Sequence, residues 1–569
     1  MKIQRRTVNS STDQVLDSDP VIDRIYKGRN AQSKDEFDYA LAQLLPYHLL
    51  KGIDACCSWL YDAFKAQDRI CIIGDYDVDG ATSTTVMLKG LAGLGFTDVC
   101  YMIPNRIKDG YGLTPALVDR AISMQAQRII TVDNGIVSYQ GVDYANANGV
   151  SVLITDHHMA AEKLPEAVVV NPNQLDCTFP SKTLAGVGVA YYVLIAFRAY
   201  LRDQGHDLRF NLLELIDIVA LGTVADCVPL DKNNRLLVHH GLKRMRSGQV
   251  SHGIAALLSI AKRNPKLLAS DDLGFAVAPR LNAAGRLDDM SIGVQCLMSD
   301  SAQEAHSYAQ TLDSINLTRR EIQANMLDEA QKSLETVDVK NEKIAIVYGE
   351  KWHEGIIGLV ASMLKETHNI PAIAMANDSD NTILKGSCRS IPGLNIRDVL
   401  VDFDLQHPGV LIKFGGHAMA AGLSLNASRL TDFTEGMRAL IQEKVTDDML
   451  QKCILVDGPL PQSHRNLPFA RLLLTKGPWG QCFEKPVFDD VFTLESVRKV
   501  GQAHLKLSVR DSEQQYDAIW FFCPESWFAV RAKQVRLIYA LSINDFNGKR
   551  SVQLMVQHAQ VVESLPIVS

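Results

Sequence analysis

Between residues 69 and 170, short and wholly apolar runs alternate with stretches whose apolar residues recur every three or four positions. The runs at 69–74, 98–103, 128–132, 151–154 and 167–170 read as strands, and 80–94, 114–125 and 138–148 as helices. Strands without polar alternation are buried on both faces, so the pattern predicts a parallel sheet covered by helices, an α/β fold. Upstream, residues 1–35 are polar and read as a loosely held lead-in, followed by helical spacing over 35–50 (Phe37, Ala40, Leu41, Leu44) and 54–64. Downstream, 184–202 and 211–220 predict helices, and 235–340 is expected to be helical almost throughout. It closes in an amphipathic run from Ala305 to Leu334, long enough to join two domains.

A second α/β unit follows, with strands at 343–348, 371–375 and 382–385 and a helix at 355–365. After Val445 the apolar period drops towards two. Runs at 487–492, 504–509, 516–522, 535–541 and 551–556, with Asn547-Gly548 as a turn signal, predict a five-stranded barrel of the oligonucleotide-binding (OB) type. The expected division is a lead-in over 1–35, a first α/β domain over 36–230, a helical connector over 231–340, a second α/β domain over 341–447 and the OB-type β-barrel over 448–569.

Composition narrows the function classes. With 47% hydrophobic and 22% charged residues among 569, the chain has core enough for several globular domains. A formal net charge of -7 excludes a protein that coats nucleic acid by bulk electrostatics, so any polyanion site must be local. The 11 cysteines form no C-x-x-C pair and no disulfide-framework spacing, which predicts a reducing, cytoplasmic location. No segment reaches 18 apolar residues and Met1–Val8 leads into no apolar signal core, so no membrane association is expected.

The candidate chemistry follows from where the acids fall. In open α/β sheets, ligands bind in the crevice beyond the carboxyl ends of the strands. Asp75, Asp77 and Asp79 follow the first strand, and in an extended segment all three would project the same way. By itself this stretch could equally be an acidic turn with Asp79 or Thr82 capping the next helix. Asp133 ends the third strand, Asp156-His157-His158 ends the fourth, and Asp226 stands where an apolar helix stops. Six carboxylates and two imidazoles in one crevice call for cations. Two divalent ions sharing a carboxylate would neutralise them and make the arrangement that promotes in-line displacement at phosphorus. Asp/His ligation without thiolate points to Mn²⁺ or Mg²⁺ over a structural zinc site.

These motifs resemble the DHH phosphoesterase superfamily, named for the Asp156-His157-His158 type of sequence, with Asp75–Gly80, Asp133-Asn134-Gly135 and Gly222–Leu230 as its other signatures. Pro104-Asn105-Arg106, Asp109–Leu113, Leu184–Ala190, Ala278–Leu287, Trp352–Gly355 and Gly415–Gly422 are similar to its single-strand-specific exonuclease branch over nearly the whole chain. The resemblance implies hydrolysis of single-stranded DNA from the 5′ end, one nucleotide at a time, with Mn²⁺ or Mg²⁺. It further implies that Asp77, Asp79, Asp133, His157 and Asp226 are metal ligands, with Asp133 the bridge. Asp75 and Asp156 become ligands or residues that orient them, and His158 touches the scissile phosphate or helps protonate the leaving oxygen.

Gly386–Ser390 and Gly415-Gly416-His417 resemble substrate-binding loops of the DHH-associated second domain. There Arg389 offers a planar fork to phosphate oxygens, Ser387 a hydroxyl, and the paired glycines an approachable backbone. Cys388 stands where that pattern has glycine. Arg106, Tyr111 and Arg280 are expected to grip the terminal nucleotide by charge and stacking. In the barrel, Tyr516, Trp520, Phe521, Phe522 and Phe546, with Lys506, Arg510, Lys549 and Arg550, suit base stacking and backbone contact, although alternating aromatics serve equally as barrel core. Gly477–Gly480 fits the family, while Phe483-Glu484-Lys485-Pro486 departs from its glycine-asparagine-proline turn. The expected partners are single-stranded DNA, a single-strand-binding protein and a helicase, and a monomer is expected. Two other readings fit the motifs: a phosphodiesterase for short oligoribonucleotides, cyclic dinucleotides or pyrophosphate, and an inactive DNA-binding scaffold.

Overall fold

The computed structural model describes residues 1–8, 14–335, 337–378, 380–546 and 548–564. Its first sheet is wholly parallel, in the order Val99–Met102, Ile70–Ile73, Arg128–Val132, Ser151–Thr155, Val168–Val170. The chain winds outward in opposite directions from Ile70–Ile73. A crevice therefore opens between that strand and Arg128–Val132, the position where such sheets bind ligands. One face of the sheet is covered by helices Val78–Gly93, Gly186–Asp203 and Ile216–Ala225, and the other by Pro115–Ser123 and Tyr139–Ala147. Ile70, Cys71, Ile72 and Ile73 are all fully buried, as a strand packed on both sides requires.

The expected extended run through Asp75, Asp77 and Asp79 does not form. The strand ends at Ile73 and the helix begins at Val78, with Asp77 as its N-cap accepting from the Gly80 amide at 3.1 Å. The cap is thus Asp77, where Asp79 or Thr82 was expected. The turn is tight enough that a Cβ on Gly80 would lie 2.4 Å from the Asp75 carbonyl oxygen. The three acids still converge, because the chain folds back over them.

The connector is helical, as its pattern predicts. The 33-residue helix Ala302–Leu334 buries Ala305, Ala309 and Leu312 in the first core, and Met326, Ala330 and Leu334 in the core of the second unit. That unit has a five-stranded sheet ordered Leu411–Gly416, Ala420–Asn426, Ile383–Arg389, Ala372–Asn377, Ala345–Gly349, parallel only between the last two. The two glycine-punctuated stretches expected to be loops are strands of this sheet and a hairpin between them. Cys388 sits in the regular strand with its side chain fully buried in the core, so the absent glycine costs the backbone nothing.

The C-terminal strands close a barrel in the order Phe488–Val500, His504–Arg510, Gln515–Trp520, Lys549–Ser564, Ala532–Phe546. Tyr516 and Trp520 are buried core, whereas Phe521 and Phe522 are exposed. The Phe546 side chain and the Asn547 turn lie outside the described residues.

Two further expectations change. Residues 35–50 are not a helix but three separate 3-10 turns, Lys34–Phe37, Leu41–Gln43 and Tyr47–Leu49. Pro46 caps the third and cannot continue a helix begun before it. The described residues of the polar lead-in are also firmly held. Lys2–Arg5 pairs in parallel with Cys453–Val456, helix Pro20–Lys27 buries Val21, Ile22, Ile25 and Tyr26, and the buried Arg29 guanidinium pairs with Asp457 at 2.7 Å. The partners are more than 400 residues away in sequence, so local hydropathy could not reveal them. Phe483, the departure in the family's turn, stacks on Trp479 at 5.1 Å and packs near Tyr26 and Phe37 of this same segment.

Candidate metal centre

The crevice gathers every acid and imidazole the strand ends offered. Asp133 ends Arg128–Val132 in a left-handed conformation, φ 61°. A Cβ on Gly186 would lie 2.7 Å from the Asp133 carboxylate, so the glycine is what lets helix Gly186–Asp203 approach. His157 Nε2 lies 3.1 Å from Asp133 Oδ1, 3.6 Å from Asp226 Oδ2 and 3.9 Å from Asp79 Oδ2. Three groupings have ligand atoms close enough to share an ion: Asp75–Asp77–Asp133, Asp79–His157–Asp226 and Asp133–His157–His158.

Four buried atoms here have no hydrogen-bond partner: Asp75 Oδ1, Asp133 Oδ1, Asp226 Oδ2 and His157 Nε2. Unsatisfied carboxylate oxygens and an imidazole nitrogen aimed into one space are too costly to persist without a cation, and oxygen and imidazole donors suit a hard divalent ion. The residues therefore fit a metal centre. The electrostatics agree. Burial, then Asp77, pushes the Asp75 and Asp79 carboxyls up, Asp79 to about 7. Burial, then Asp79, raises Asp133 and Asp226 well above the carboxylate range. Burial, then His158, brings His157 down to about 4, leaving it the neutral imidazole that a metal needs.

Two members have structural duties. Asp79 accepts from the Gly186 amide at 2.6 Å and the Val187 amide at 2.9 Å, so it also anchors the N-terminus of helix Gly186–Asp203. Asp156 is fully engaged: its oxygens accept from the Ile136, His157 and His158 amides at 3.0, 2.7 and 3.1 Å and meet His158 Nδ1 at 2.7 Å. Both of its oxygens are bonded within the protein. Burial opposes its charge, yet the bond from His158 holds its carboxyl below the usual range. Reciprocally, burial lowers His158, but the bond to and charge of Asp156, with Asp75 and Asp79, together hold it above its own. Tyr111, expected to grip the terminal nucleotide, donates to the Asp133 carbonyl at 3.3 Å and lies 3.1 Å from His158 Nδ1.

Beside the acids stands a cationic wall. Arg106 lies over the Tyr76 ring at 4.3 Å, and the two line a cavity of about 390 Å³ together with Arg286. Arg389 reaches Ser387 Oγ at 2.9 Å and Ser362 Oγ at 3.1 Å. The Gly415-Gly416-His417 hairpin adjoins it, since the Ser390 amide donates to Met419 O. Arg280 is not brought into this group. Its side chain pairs with Asp313 at 2.8 Å and ties helix Ala278–Leu287 to Ala302–Leu334.

Arg286 and Tyr76 are the residues that motif reading passed over. Burial, followed by Arg106 and Arg389, brings the Arg286 guanidinium down to about 10, and its Nη1 donates to Gly355 O of the second unit at 3.0 Å. The signal was available in Gly285-Arg286: a Cβ on Gly285 would lie 1.8 Å from the Tyr76 carbonyl, so that glycine locks the connector onto the metal loop.

Comparison with known proteins accounts for the whole chain. Residues 69–223 match the DHH family, N-terminal domain, residues 341–443 the DHHA1 domain and residues 456–558 the RecJ OB domain. The chain is 45% identical over 567 residues to the single-stranded-DNA-specific exonuclease RecJ of Salmonella typhimurium, covering 98% of each. It is 44% identical to that of Escherichia coli, covering 98% of this chain and 99% of that one. The crystal structure of RecJ from Thermus thermophilus in complex with Mn²⁺ superposes with a TM-score of 0.81 at 26% identity, covering 99% of this chain and 80% of that one. With this family match over nearly its full length and the metal-ready acid cluster that goes with it, the chain belongs to the RecJ family of the DHH superfamily.

Proposed function

We propose that the chain is a metal-dependent 5′→3′ exonuclease that hydrolyses single-stranded DNA to mononucleotides in recombination, repair and mismatch repair. The observation that carries this reading is the convergence of four partnerless buried donor atoms at the sheet's switch point, in a chain whose relatives are named single-stranded-DNA-specific exonucleases. Asp77, Asp79, Asp133, His157 and Asp226 would hold Mn²⁺ or Mg²⁺. Asp133 and His157 each belong to two of the three ligand groupings, and of the two only the carboxylate has two oxygens to share, which favours Asp133 as the bridge of a two-ion site, with Asp75 beside it. When bound, the ions supply a water acidic enough to attack at neutral pH and neutralise charge on the phosphodiester.

The chain's own residues do the rest. Asp156 fixes His158 through Nδ1 and favours its protonated form, so Nε2 can give its proton to the leaving oxygen. Arg106, Arg286 and Arg389, with Ser387 and the Gly415-Gly416-His417 hairpin, offer donors for a terminal phosphate at one end of the cleft, and Tyr111 holds the backbone of Asp133 in place. A cleft closed at that end by cations admits a strand terminus and advances it in nucleotide steps. In this reading 36–230 is the catalytic unit, 231–340 the connector, 341–447 the substrate clamp and 448–569 the strand-tracking barrel. The working form is a cytoplasmic monomer that receives strands from a helicase and meets a single-strand-binding protein. No helix among the described residues is long and apolar enough to cross a membrane.

An end-labelled assay tests the reading. Purified protein with Mn²⁺ or Mg²⁺ should release labelled mononucleotide at once from 5′-labelled single strands, late from 3′-labelled ones and hardly at all from blunt duplex. Equal release from both ends, or preference for pyrophosphate, would overturn it.

A further inference from the structure

The edge of the catalytic sheet carries a feature that nuclease chemistry does not use. Cys71 and Cys100 are register partners in adjacent parallel strands, and both side chains face the same core beneath helices Pro115–Ser123 and Tyr139–Ala147. Directly paired residues of neighbouring strands stand about 4.8 Å apart, inside the Cα separation that a disulfide spans. Each thiol feels the other, and both feel the Arg69 guanidinium. Cys71 is fully buried, while Cys100 lies on the outermost strand and is partly open to solvent. The asymmetry is that of an attacking and a resolving thiol.

We propose that Cys100 and Cys71 form a peroxide-sensing pair whose reversible disulfide slows the nuclease. The Cys100 thiolate attacks the terminal oxygen of a hydroperoxide. The O–O bond breaks, the alkoxide or hydroxide leaves with a proton, and Cys100 becomes a sulfenic acid. The Cys71 sulfur then attacks the Cys100 sulfur, an S–S bond forms, and the sulfenic oxygen departs as water with the Cys71 proton. The peroxide is reduced by two electrons and the thiol pair is oxidised by two. Charge at the site favours the first step: the neighbouring Cys71 thiol, then Arg69, draws the Cys100 thiol down against its burial.

The consequence for activity follows from position. Strand Ile70–Ile73 sits between Val99–Met102 and Arg128–Val132 and runs straight into Asp75. Cβ atoms joined by a disulfide lie about 3.8 Å apart, closer than strand spacing allows. The bond must therefore draw the edge strand Val99–Met102 and its neighbour Ile70–Ile73 together, four residues before the first acid of the metal centre. Catalytic geometry tolerates little of this: a misplacement of about 1 Å can cost a hundredfold in rate.

The test uses the full chain with Cys227→Ser, because Cys227 is exposed beside Asp226 and its oxidation would mask the effect. The protein is treated with hydrogen peroxide, then with catalase, and assayed with Mn²⁺ on single-stranded DNA. Expected are a loss of two hydrogens in the intact mass, a peptide joining residues 71 and 100, a rate lower by about tenfold, and recovery of both with a dithiol. Cys71→Ser should leave a Cys100 sulfenic acid trappable by dimedone and no joined peptide. Cys100→Ser should keep its full rate after peroxide. Absence of the joined peptide overturns the pair whatever the enzyme's substrate proves to be. A joined peptide without loss of rate, or an equal loss in Cys100→Ser, overturns the switch.

Discussion

Two clusters of buried charge in this molecule look alike in composition and differ in every other respect. At the sheet's switch point, Asp75, Asp79, Asp133 and Asp226 crowd together, and three of them keep an oxygen that accepts nothing. At the base of the barrel, Asp490 and Asp511 are each held by Arg465 at 2.8 Å, and Tyr539 and Tyr516 donate to them at 2.8 and 2.9 Å. Arg465 also lies over the Phe492 ring at 5.0 Å. In the barrel cluster every carboxylate oxygen is bonded within the protein, and only Arg465 Nε of that group is left without a hydrogen-bond partner. The sheet cluster is incomplete and so costs stability until a cation arrives, which is the signature of a functional site.

The largest test of this contrast is on activity. His157→Ala or Asp226→Asn should lower the nuclease rate by about a thousandfold or more, yet leave the melting temperature of the chelated protein unchanged or slightly raised, because a repelling or desolvated group has been removed. A marked fall in that melting temperature would mean the cluster is structural after all. In the barrel the ordering reverses. Arg465→Met should destabilise by about 1–3 kcal/mol, since it takes the cationic partner from two partly buried carboxylates. Chemical denaturation reads this directly, and a loss under about 1 kcal/mol would break the comparison.

Metal should separate the two regions again. Mn²⁺ at about a hundredfold excess over its Kd should stabilise the wild-type chain by about 2.7 kcal/mol and the His157→Ala chain by much less, while Arg465→Met keeps the full increment. Asp79 belongs to both worlds. Asp79→Ala should abolish turnover and also cost about 0.5–2 kcal/mol in the chelated protein, because it uncaps helix Gly186–Asp203.

The smallest effect is on pH. Burial works against the Asp511 carboxyl, but bonds from the Gln514 and Glu513 amides, Tyr516 and Arg465 hold it below the usual carboxylate range. A depressed folded value means stability that is present above the unfolded value near 3.8 and lost as pH falls through the folded one. Asp511→Asn should therefore flatten the acid limb of the melting curve below about pH 4. An unchanged limb would show that Asp511 contributes nothing there.

Much of this was legible along the chain. The strand-and-helix alternation over 69–170 and the five barrel strands follow from period alone, because burial on one or both faces of a strand writes itself directly into residue order. Acids at strand ends mark the crevice for the same reason. The backbone of Asp75–Asp79 was not legible, since a turn into a helix and an extended run carry the same residues. Hydropathy misreads the N-terminal segment because its partners, Cys453–Val456 and Asp457, lie at the far end of the chain, and local polarity says nothing of a distant salt bridge. Arg280 and Arg286 sit six residues apart in one motif. Only packing tells the one that ties two helices together from the one that faces the cleft.

Sequence by itself determined the parallel sheet and the five-stranded barrel, the collection of acids and imidazoles in one crevice, and hence a metal site there. These rest on local periodicity and on the chemistry of side chains, both carried residue by residue. Tertiary structure alone decided which oxygens remain free. Asp156 has spent both of its own on amides and His158, while Asp75, Asp133 and Asp226 each keep one unsatisfied. Hydrogen-bond satisfaction is a property of three-dimensional neighbours, so no spacing along the chain could have separated the carboxylate that is fully bonded from those that are not.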